Sequence, residues 1–244
     1  MSTTPSAHRP AIAYNHSSAN TLPSAPEPLV KRAPRRRTHS LEYLMKRAID
    51  FVGAGVGLLI ISPLLLIIAA IIRLDSRGPI FFRQTRVGRD GRSFEVWKFR
   101  TMVQDAEARL KEVEHLNESQ GGVLFKMQRD PRITRSGMIL RQTSLDELPQ
   151  LFNVVRGEMS LVGPRPLPLR DCALLRELDD AAFVRRHEVL PGLTGLWQVS
   201  GRSLLGVRQM LDLDCHYIDN WSLRLDCGIL VKTLGILFAR TGAF

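Results

Sequence analysis

Two adjacent carboxylates, Asp146 and Glu147, are the strongest candidates for chemistry in this chain. The Ser-x-x-Glu spacing between Ser144 and Glu147 predicts a capping box at the start of a helix. Free N–H groups and the positive end of the helix dipole gather there, so we expect a lowered carboxylate pKa, an ionised nucleophile and room for a phosphate or a metal ion. Acidic residues are also common in first turns for helix stability alone, and that interpretation stays open here.

Cationic side chains that could bind phosphate lie around the pair. Arg141 lies just upstream, and Arg165 lies between Pro164 and Pro166, whose rings restrict the backbone on both sides. A guanidinium held in this way is suited to a bidentate grip on phosphate. Three further cations would each, taken alone, be surface charges: Lys98, Arg100 and Arg202.

A short helix must position the acidic pair. Pro149 is tolerated in or near a first turn, and Gly157 is a plausible helix stop. The apolar spacing predicts one buried stripe along this helix, formed by Leu145, Leu148, Leu151 and Phe152.

The longest apolar run extends from residue 51 to residue 72 and contains no charged residue. It is long enough to cross a hydrocarbon core of about 30 Å. Lys46 and Arg47 precede it and Arg73 and Arg77 follow it, so the positive-inside rule places both ends in the cytoplasm, which a straight span cannot do. Because Ser62-Pro63 lies at the midpoint, where proline kinks a helix, we predict a re-entrant hairpin, with a kinked transmembrane helix as the alternative.

Composition limits the class of partner. The 244 residues carry a formal net charge of +10, which suits nucleic acid, anionic lipid or a phosphorylated substrate. No recognised nucleic-acid module is present and the positive charge clusters around the apolar run, so we expect no nucleic-acid partner. The three cysteines are odd in number and form no Cys-x-x-Cys pair, which predicts reduced thiols facing the cytosol. The six histidines show no zinc-site spacing, so we expect no zinc site.

Three regions are predicted along the chain. Residues 1–40 read as a disordered tail whose basic end would contact the anionic inner leaflet, and residues 41–78 as the re-entrant hairpin. Residues 79–244 would form a cytoplasmic, membrane-associated catalytic domain of the α/β class, mostly helical with a small β-hairpin. Its predicted elements are a hairpin turn at Asp90-Gly91, an amphipathic helix over residues 104–117 and an interfacial or docked helix over residues 225–239. Gly53 and Gly57 could pack a membrane helix pair in a homodimer.

A series of motifs resembles the bacterial sugar transferase family, the monotopic phosphoglycosyl transferases. The motifs follow one another in the expected order from about residue 41 to the end of the chain. They occupy residues 46–50, 82–88, 97–102, 130–134, 143–151, 160–166 and 191–202. Since only the tail precedes this core, we expect a short member of the family.

The resemblance implies an enzyme that transfers a sugar 1-phosphate, such as a hexose 1-phosphate, from a UDP-sugar to polyprenyl (undecaprenyl) phosphate. UMP would be released, as the first step of exopolysaccharide or glycan synthesis at the cytoplasmic face of the bacterial inner membrane. Asp146 would form a phosphoryl-aspartate, and Glu147 and Asp146 would hold Mg²⁺. The substrate-binding set from the cations and the resemblance together is Lys98, Arg100, Asp130, Arg141, Pro164, Arg165, Pro166 and Arg202.

One rival class remains open from the residues alone. The chain could be a non-catalytic membrane-associated scaffold or an anionic-lipid-binding protein, in which the acidic pair only caps a helix. The identity of the sugar is not readable from any motif.

Overall fold

The computed structural model describes residues 41–117, 127, 129–201 and 205–239. The predicted tail, residues 1–40, and Arg202 therefore lie outside the described residues. The helices are α1 (Leu41–Asp75), α2 (Leu110–Val113), α3 (Arg135–Gln142), α4 (Gln150–Val155), α5 (Leu169–Leu178), α6 (Asp180–Arg186), α7 (Leu196–Val199), α8 (Val207–Asp219) and α9 (Leu223–Ala239). The strands are β1 (Phe81–Val87), β2 (Ser93–Phe99), β3 (Ser160–Val162) and β4 (Gly192–Thr194). The mostly helical character with a small β content is confirmed.

The predicted β-hairpin is confirmed. Strands β1 and β2 pair antiparallel, from Phe81 opposite Phe99 to Val87 opposite Ser93. The turn between them places Asp90 at φ 58° and Gly91 at φ 73°, the left-handed region that an Asp-Gly dipeptide tolerates. A second sheet, in which β3 runs parallel to β4, was not predicted, because each strand is only three residues long and has too little periodicity to recognise.

The single helix predicted over residues 104–117 is wrong. The segment contains only α2 and a 3₁₀ turn at Glu114–Leu116, although Ala106 and Val113 are buried as the amphipathic pattern required. Backbone groups at the start of this segment are bonded to Arg132. The Arg132 guanidinium donates to the Ala106 carbonyl at 3.1 Å, and the Val103 N–H donates to the Arg132 carbonyl at 2.9 Å. A carbonyl bonded to another segment does not favour a helical partner four residues on.

Helix α1 continues through Ser62-Pro63 without a break. Pro63 has no N–H for the carbonyl of Leu59, and the Ser62 hydroxyl donates to that carbonyl instead, at 2.8 Å. Within the described residues, α1 is the one helix whose length and composition would allow it to cross a membrane. The re-entrant topology stays a prediction.

Both ends of α1 are bonded to the same domain. Near its start, Lys46 donates to Asp226 at 2.6 Å and the Asp50 carboxylate accepts from the Leu161 N–H at 3.0 Å. At its end, the Asp75 carboxylate accepts from the backbone and hydroxyl of Ser136. Lys46 and Arg47, from which the positive-inside rule placed this end of the apolar run in the cytoplasm, bind carboxylates and carbonyls of the protein itself.

The middle of α1 packs on the domain along one face. Ala54 belongs to a cluster with Leu151, Val154 and Met159, and further along Ile68 and Ile72 pack on Phe99 and Leu140. Gly53 and Gly57 approach Leu161 and Leu151 of the same chain, so they serve this packing, and the predicted homodimer stays a prediction. The opposite face remains apolar and exposed, with Leu59 and Leu66 more than 70% accessible.

Helix α9 docks on the domain. The sequence alone left two possibilities for this segment, docking on the domain or lying on a membrane. Asp226 and Ile229 are buried, while Val231 and Leu234 on the same helix are exposed. The rest of the core lies between α5, α6 and α8, where Leu175, Phe183, Met210 and Leu211 pack together.

The attachment of both ends of α1 predicts that they lie on one side of the bilayer. A straight helix of 35 residues is about 52 Å long, and a span would carry its ends to opposite surfaces. We expect Glu42→Cys and Arg77→Cys, both at exposed positions, to react with a membrane-impermeant maleimide from the same side of sealed vesicles. Cys215 and Cys227 are replaced by serine in both variants. Reaction from opposite sides would show a transmembrane span.

Candidate active site

The acidic pair lies in a 3₁₀ turn, Leu145–Glu147, between α3 and α4. Ser144 has φ 56° and ψ 17° and makes no side-chain cap, so the predicted capping box is wrong. Its backbone N–H donates to the Arg141 carbonyl at 3.1 Å, and the Glu147 carboxylate points to other partners. A left-handed non-glycine residue costs about 1–3 kcal/mol and persists only where its surroundings impose it.

The short helix behind the pair is largely as predicted. Helix α4 follows Pro149 directly and ends at Val155, and Gly157 terminates it at φ +81°. Leu145 and Leu148 pack on the α1 cluster around Ile68. Phe152, predicted to be buried, is instead 39% exposed beside Trp97, because its side of this short helix faces away from the core.

Glu147 is held by two cations. The Lys98 ammonium donates to Oε1 at 2.7 Å, and Arg165 makes a two-point contact in which Nη1 donates to Oε2 at 3.1 Å and Nη2 donates to Oε1. Burial raises the pKa of Glu147, but Arg165 and Lys98 outweigh burial and hold that pKa well below its ordinary value. Glu147 is therefore ionised throughout the physiological range.

Asp146 has the opposite electrostatics. Burial raises its pKa to about 6, the negative charge of Glu147 adds to the rise, and Lys98, Arg141 and Arg165 oppose it. The predicted lowering is wrong, because no helix begins at the pair and a single 3₁₀ turn offers too few aligned amides to offset burial. Within the described residues Asp146 accepts no hydrogen bond, so its carboxylate is available for reaction.

Lys98 reaches the site from the inward face of β2. Opposite it on β1 is Phe82, and the same face of β1 continues with Gln84 and Arg86. Burial lowers the pKa of Lys98, and the negative charge of Glu147 partly restores it. The structure thus brings Lys98 and Arg165 together with the acidic pair, as predicted.

The segment that carries Arg165 is fixed by more than its two prolines. Three successive carbonyls each accept a hydrogen bond from a different element: Pro164 from the Gly192 N–H at 2.9 Å, Arg165 from Arg186 Nη2 at 2.8 Å and Pro166 from Arg86 Nη1 at 3.0 Å. The backbone is therefore held in place, and the Arg165 guanidinium is the part that can move.

The sequence did not predict that Arg86 and Arg186 bind the segment that carries Arg165. Burial, with the charge of Arg165, lowers the pKa of Arg86 to about 10, and Arg86 Nη2 donates to Gln84 at 2.6 Å. The signal for Arg86 was available, because the hairpin register places it on the same face as the partner of Lys98. Arg186 had no local signal, since its role depends on a contact with Arg165 that only the tertiary structure forms.

The other predicted residues make no hydrogen bond to the pair within the described residues. The charge of Arg141 lowers the pKa of both Asp146 and Asp130, which places Arg141 near both carboxylates. Asp130 itself accepts from Arg132 Nε at 2.9 Å and Nη2 at 2.7 Å. Arg100 is not brought to the pair: its Nη2 donates to the backbone and hydroxyl of Ser76 at the end of α1.

A bound divalent cation does not fit the pair in this arrangement. The described residues contain no group of three or more His, Cys, Asp or Glu side chains that could hold a metal ion. Mg²⁺ needs only one or two carboxylates when substrate phosphates supply further ligands. Both Glu147 oxygens, however, already accept from Arg165 or Lys98.

Comparison with known proteins settles the family. The model of the bacterial sugar transferase family matches residues 41–240. The chain belongs to this family. The predicted resemblance is thereby confirmed.

Relatives of this sugar transferase share the matched region. It is 44% identical over 209 residues to the UDP-galactose-lipid carrier transferase of Erwinia amylovora, covering 84% of this chain and 43% of that protein. It is 41% identical over 204 residues to the exopolysaccharide production protein ExoY of Rhizobium meliloti (strain 1021), covering 82% and 88%. The UDP-glucose:undecaprenyl-phosphate glucose-1-phosphate transferase of Escherichia coli (strain K12) is 40% identical over 206 residues, covering 82% and 42%. The chain thus spans less than half the length of two of these relatives.

Arg186, which binds the Arg165 carbonyl, and its neighbour Arg185 should differ in how much their substitution lowers the free energy of unfolding. Arg186 and Asp214 form an ion pair at 2.8 Å with side chains only 1% and 3% exposed. Arg186→Met leaves that carboxylate buried and unpaired, so we expect a loss of about 3–5 kcal/mol. Arg185→Met, whose partners Asp219 and Glu188 are 53% and 18% exposed and can both be solvated when the arginine is lost, should cost less, about 1 kcal/mol. Denaturant unfolding in detergent micelles measures both, and equal losses would contradict the role of the buried pair.

Proposed function

We propose that this chain transfers a sugar 1-phosphate, specifically a hexose 1-phosphate, from a UDP-sugar to polyprenyl phosphate. The observation that carries the proposal is the acidic pair itself: Lys98 and Arg165 bind Glu147, and the neighbouring Asp146, near the charges of Lys98, Arg141 and Arg165, has a pKa raised to about 6. The printed names of the relatives, with galactose or glucose as the sugar and undecaprenyl phosphate as the carrier, support the substrate classes. The product would enter exopolysaccharide or glycan synthesis.

The proposed reaction has two displacements at one phosphorus atom. An Asp146 carboxylate oxygen attacks the phosphorus bonded to the sugar, and the bond from that phosphorus to the bridging oxygen breaks. UMP leaves with the bridging oxygen, and the sugar phosphate remains on Asp146. An oxygen of polyprenyl phosphate then attacks the same phosphorus, which releases the Asp146 carboxylate and forms polyprenyl diphosphate sugar. Lys98 and Arg165 offset the negative charge on the phosphoryl oxygens in both steps.

The division of roles follows from the environments of the two carboxylates. Glu147 is paired with two cations, which makes it a poor nucleophile. Asp146 is unpaired within the described residues, and its pKa near 6 keeps it ionised at neutral pH yet more basic than an ordinary aspartate. Asp146 is therefore the proposed nucleophile.

The position of the catalytic turn supports a lipid-borne acceptor. Leu145 and Leu148, on either side of the acidic pair, pack against a cluster that contains Ile68 and Ile72 of α1. This cluster links the pair to the element that is long and apolar enough to enter a membrane. We propose that the domain lies on the cytoplasmic face of the inner membrane, with α1 as a re-entrant anchor and the site level with the lipid phosphate.

The covalent step predicts a trapped intermediate. UDP-sugar labelled in the sugar-side phosphate should leave label on the denatured protein before acceptor is added, and Asp146→Asn should abolish this label and UMP release. Asp105→Asn is the matched control, because Asp105 lies exposed beside Arg109 and away from the pair. A screen over UDP-galactose, UDP-glucose and N-acetylated UDP-sugars in membranes identifies the donor. Unchanged turnover in Asp146→Asn would contradict the mechanism, and no UMP release from any donor would favour a non-catalytic scaffold.

The raised pKa of Asp146 predicts a loss of activity in mild acid. Above pH 6 the carboxylate is ionised and can attack, whereas below pH 6 it is protonated. Glu147, whose pKa is lowered, stays ionised over the same range. We expect kcat/KM for UMP release to fall by about tenfold per pH unit below pH 6. If kcat/KM instead fell with a midpoint near the ordinary aspartate pKa, the result would contradict the raised pKa of Asp146.

A further inference from the structure

A cleft of about 400 Å³ lies between α7, the end of α8 and the first half of α9. This volume is within the usual range of about 300–1,000 Å³ for small-molecule sites. Its apolar lining comes from Leu196 of α7 and from Leu225 and Ile229 of α9. None of the described residues that line it is acidic, and none of them binds the carboxylate of Glu147. The cleft is therefore separate from the acidic pair.

Two cations of α9 line this cleft. Arg224, Gly228 and Lys232 follow one another at intervals of four residues, so they share one face of the helix. Arg224 and Lys232 are both exposed, and neither forms an ion pair within the described residues. The acidic residues close to this face are already bonded, Asp219 to Arg185 and Asp226 to Lys46. The cleft thus carries positive charge that the described part of the protein does not balance.

The space between the two cations depends on Gly228. A Cβ atom added at this glycine would meet no other atom within 4 Å, so the helix surface there is open. Glycine lowers the stability of a helix interior relative to alanine, which means that local helix formation does not favour it at this position. Its effect on the cleft is to leave room over the helix between Arg224 and Lys232.

The attachment of α9 to α1 sets the level of the cleft. Asp226, which lies between Arg224 and Gly228, accepts from Lys46 at 2.6 Å. Lys46 precedes the apolar run by five residues, about 7.5 Å along the helix axis, and a headgroup layer is about 5–8 Å thick. On the proposed membrane placement, the cleft lies at the depth of the lipid headgroups.

An apolar surface adjoins the two cations on α9. Val231 is three residues from Gly228 and is 69% exposed, and Leu234 on the same helix is 56% exposed. A ligand that matches this combination carries a negative charge and a hydrocarbon chain. Phospholipids with a net negative charge have both, and they attract basic residues at the membrane surface.

We propose that this cleft binds the headgroup of one anionic phospholipid, with its phosphate over Gly228 between Arg224 and Lys232 and the upper part of its chains along Leu225 and Ile229. This inference rests on the membrane placement given under the proposed function, and it does not depend on the reaction. The lipid is a structural ligand from the bilayer. Through Asp226 and Lys46 it holds α9 and the start of α1 at one level of the membrane.

Filling the cleft tests the site. The full chain in detergent micelles is titrated with phosphatidylglycerol, and the bound lipid is counted by native mass spectrometry. We expect one lipid per wild-type chain and binding about 30-fold weaker or more in Gly228→Phe, because the phosphate then loses two cations that each contribute about fivefold. Gly235→Phe is the matched control, since Gly235 is equally open on the same helix but does not line the cleft.

Removal of the charge tests the same site without a bulky side chain. Arg224→Gln with Lys232→Gln should also weaken phosphatidylglycerol binding by about 30-fold. Arg92→Gln with Lys111→Gln removes the same charge from exposed positions outside the cleft and should leave the affinity unchanged. This comparison decides the question if Gly228→Phe does not fold, which denaturant unfolding would show.

The identity of the ligand is tested by two further probes. Phosphatidylcholine has the same phosphate but a balancing cation, so it should bind more weakly than phosphatidylglycerol. Inorganic phosphate has no chains and should not displace the lipid at equal concentration. Displacement would show a site for free anions and overturn the lipid assignment, and equal binding of phosphatidylcholine would overturn the role of the negative charge.

Equal phosphatidylglycerol affinity in each variant and its matched control would overturn the cleft as the site. Failure of the proposed reaction shows separately, as the absence of UMP release from every UDP-sugar. Failure of the membrane placement also has its own signature, which is maleimide reaction at the two ends of α1 from opposite sides of the vesicles.

Discussion

The fold depends on the attachment of an apolar helix to a polar domain through buried charge. Asp226 of α9 accepts from Lys46 of α1, from the Tyr217 hydroxyl of α8 at 2.8 Å and from the Trp221 indole at 3.1 Å. The Val162 carbonyl, at the end of β3, accepts from Lys46 and Tyr217 as well. One carboxylate thus joins α1, α8 and α9 to the strand that leads into the Arg165 segment, and burial makes each of these bonds costly to lose.

The active-site turn, Leu145–Glu147, is also held by contacts with several elements. Apolar contacts with a cluster shared by α1, β2 and α3 hold this turn, while the β-hairpin supplies Lys98 and the segment after β3 supplies Arg165. Two neighbouring carboxylates then enter different environments: Glu147 is paired with cations, and Asp146 accepts no hydrogen bond from the part of the chain that the structure describes. In the proposed mechanism, this difference separates a charge-balancing residue from a nucleophile without any special chemistry in the side chains themselves.

Local sequence signals predicted what local physics controls. The Asp-Gly turn, the stop at Gly157 and the length of the apolar run each depend on a few adjacent residues, and the structure contains all three. The capping box failed because Glu147 forms stronger charge-assisted bonds to Arg165 and Lys98 than a cap would offer. The helix over residues 104–117 failed because Arg132 binds the Ala106 carbonyl from outside the segment.

The sequence by itself determined the family, the acidic pair, the cationic character of its neighbours and the presence of a membrane-length apolar helix. These follow from residue types in a set order, which need no knowledge of distant contacts. Only the tertiary structure decided which cations reach the pair, that Arg100 belongs to the end of α1, that Arg86 and Arg186 support Arg165, and that the pKa of Asp146 rises. Burial and long-range pairing set those outcomes, and both depend on which segments the fold brings together.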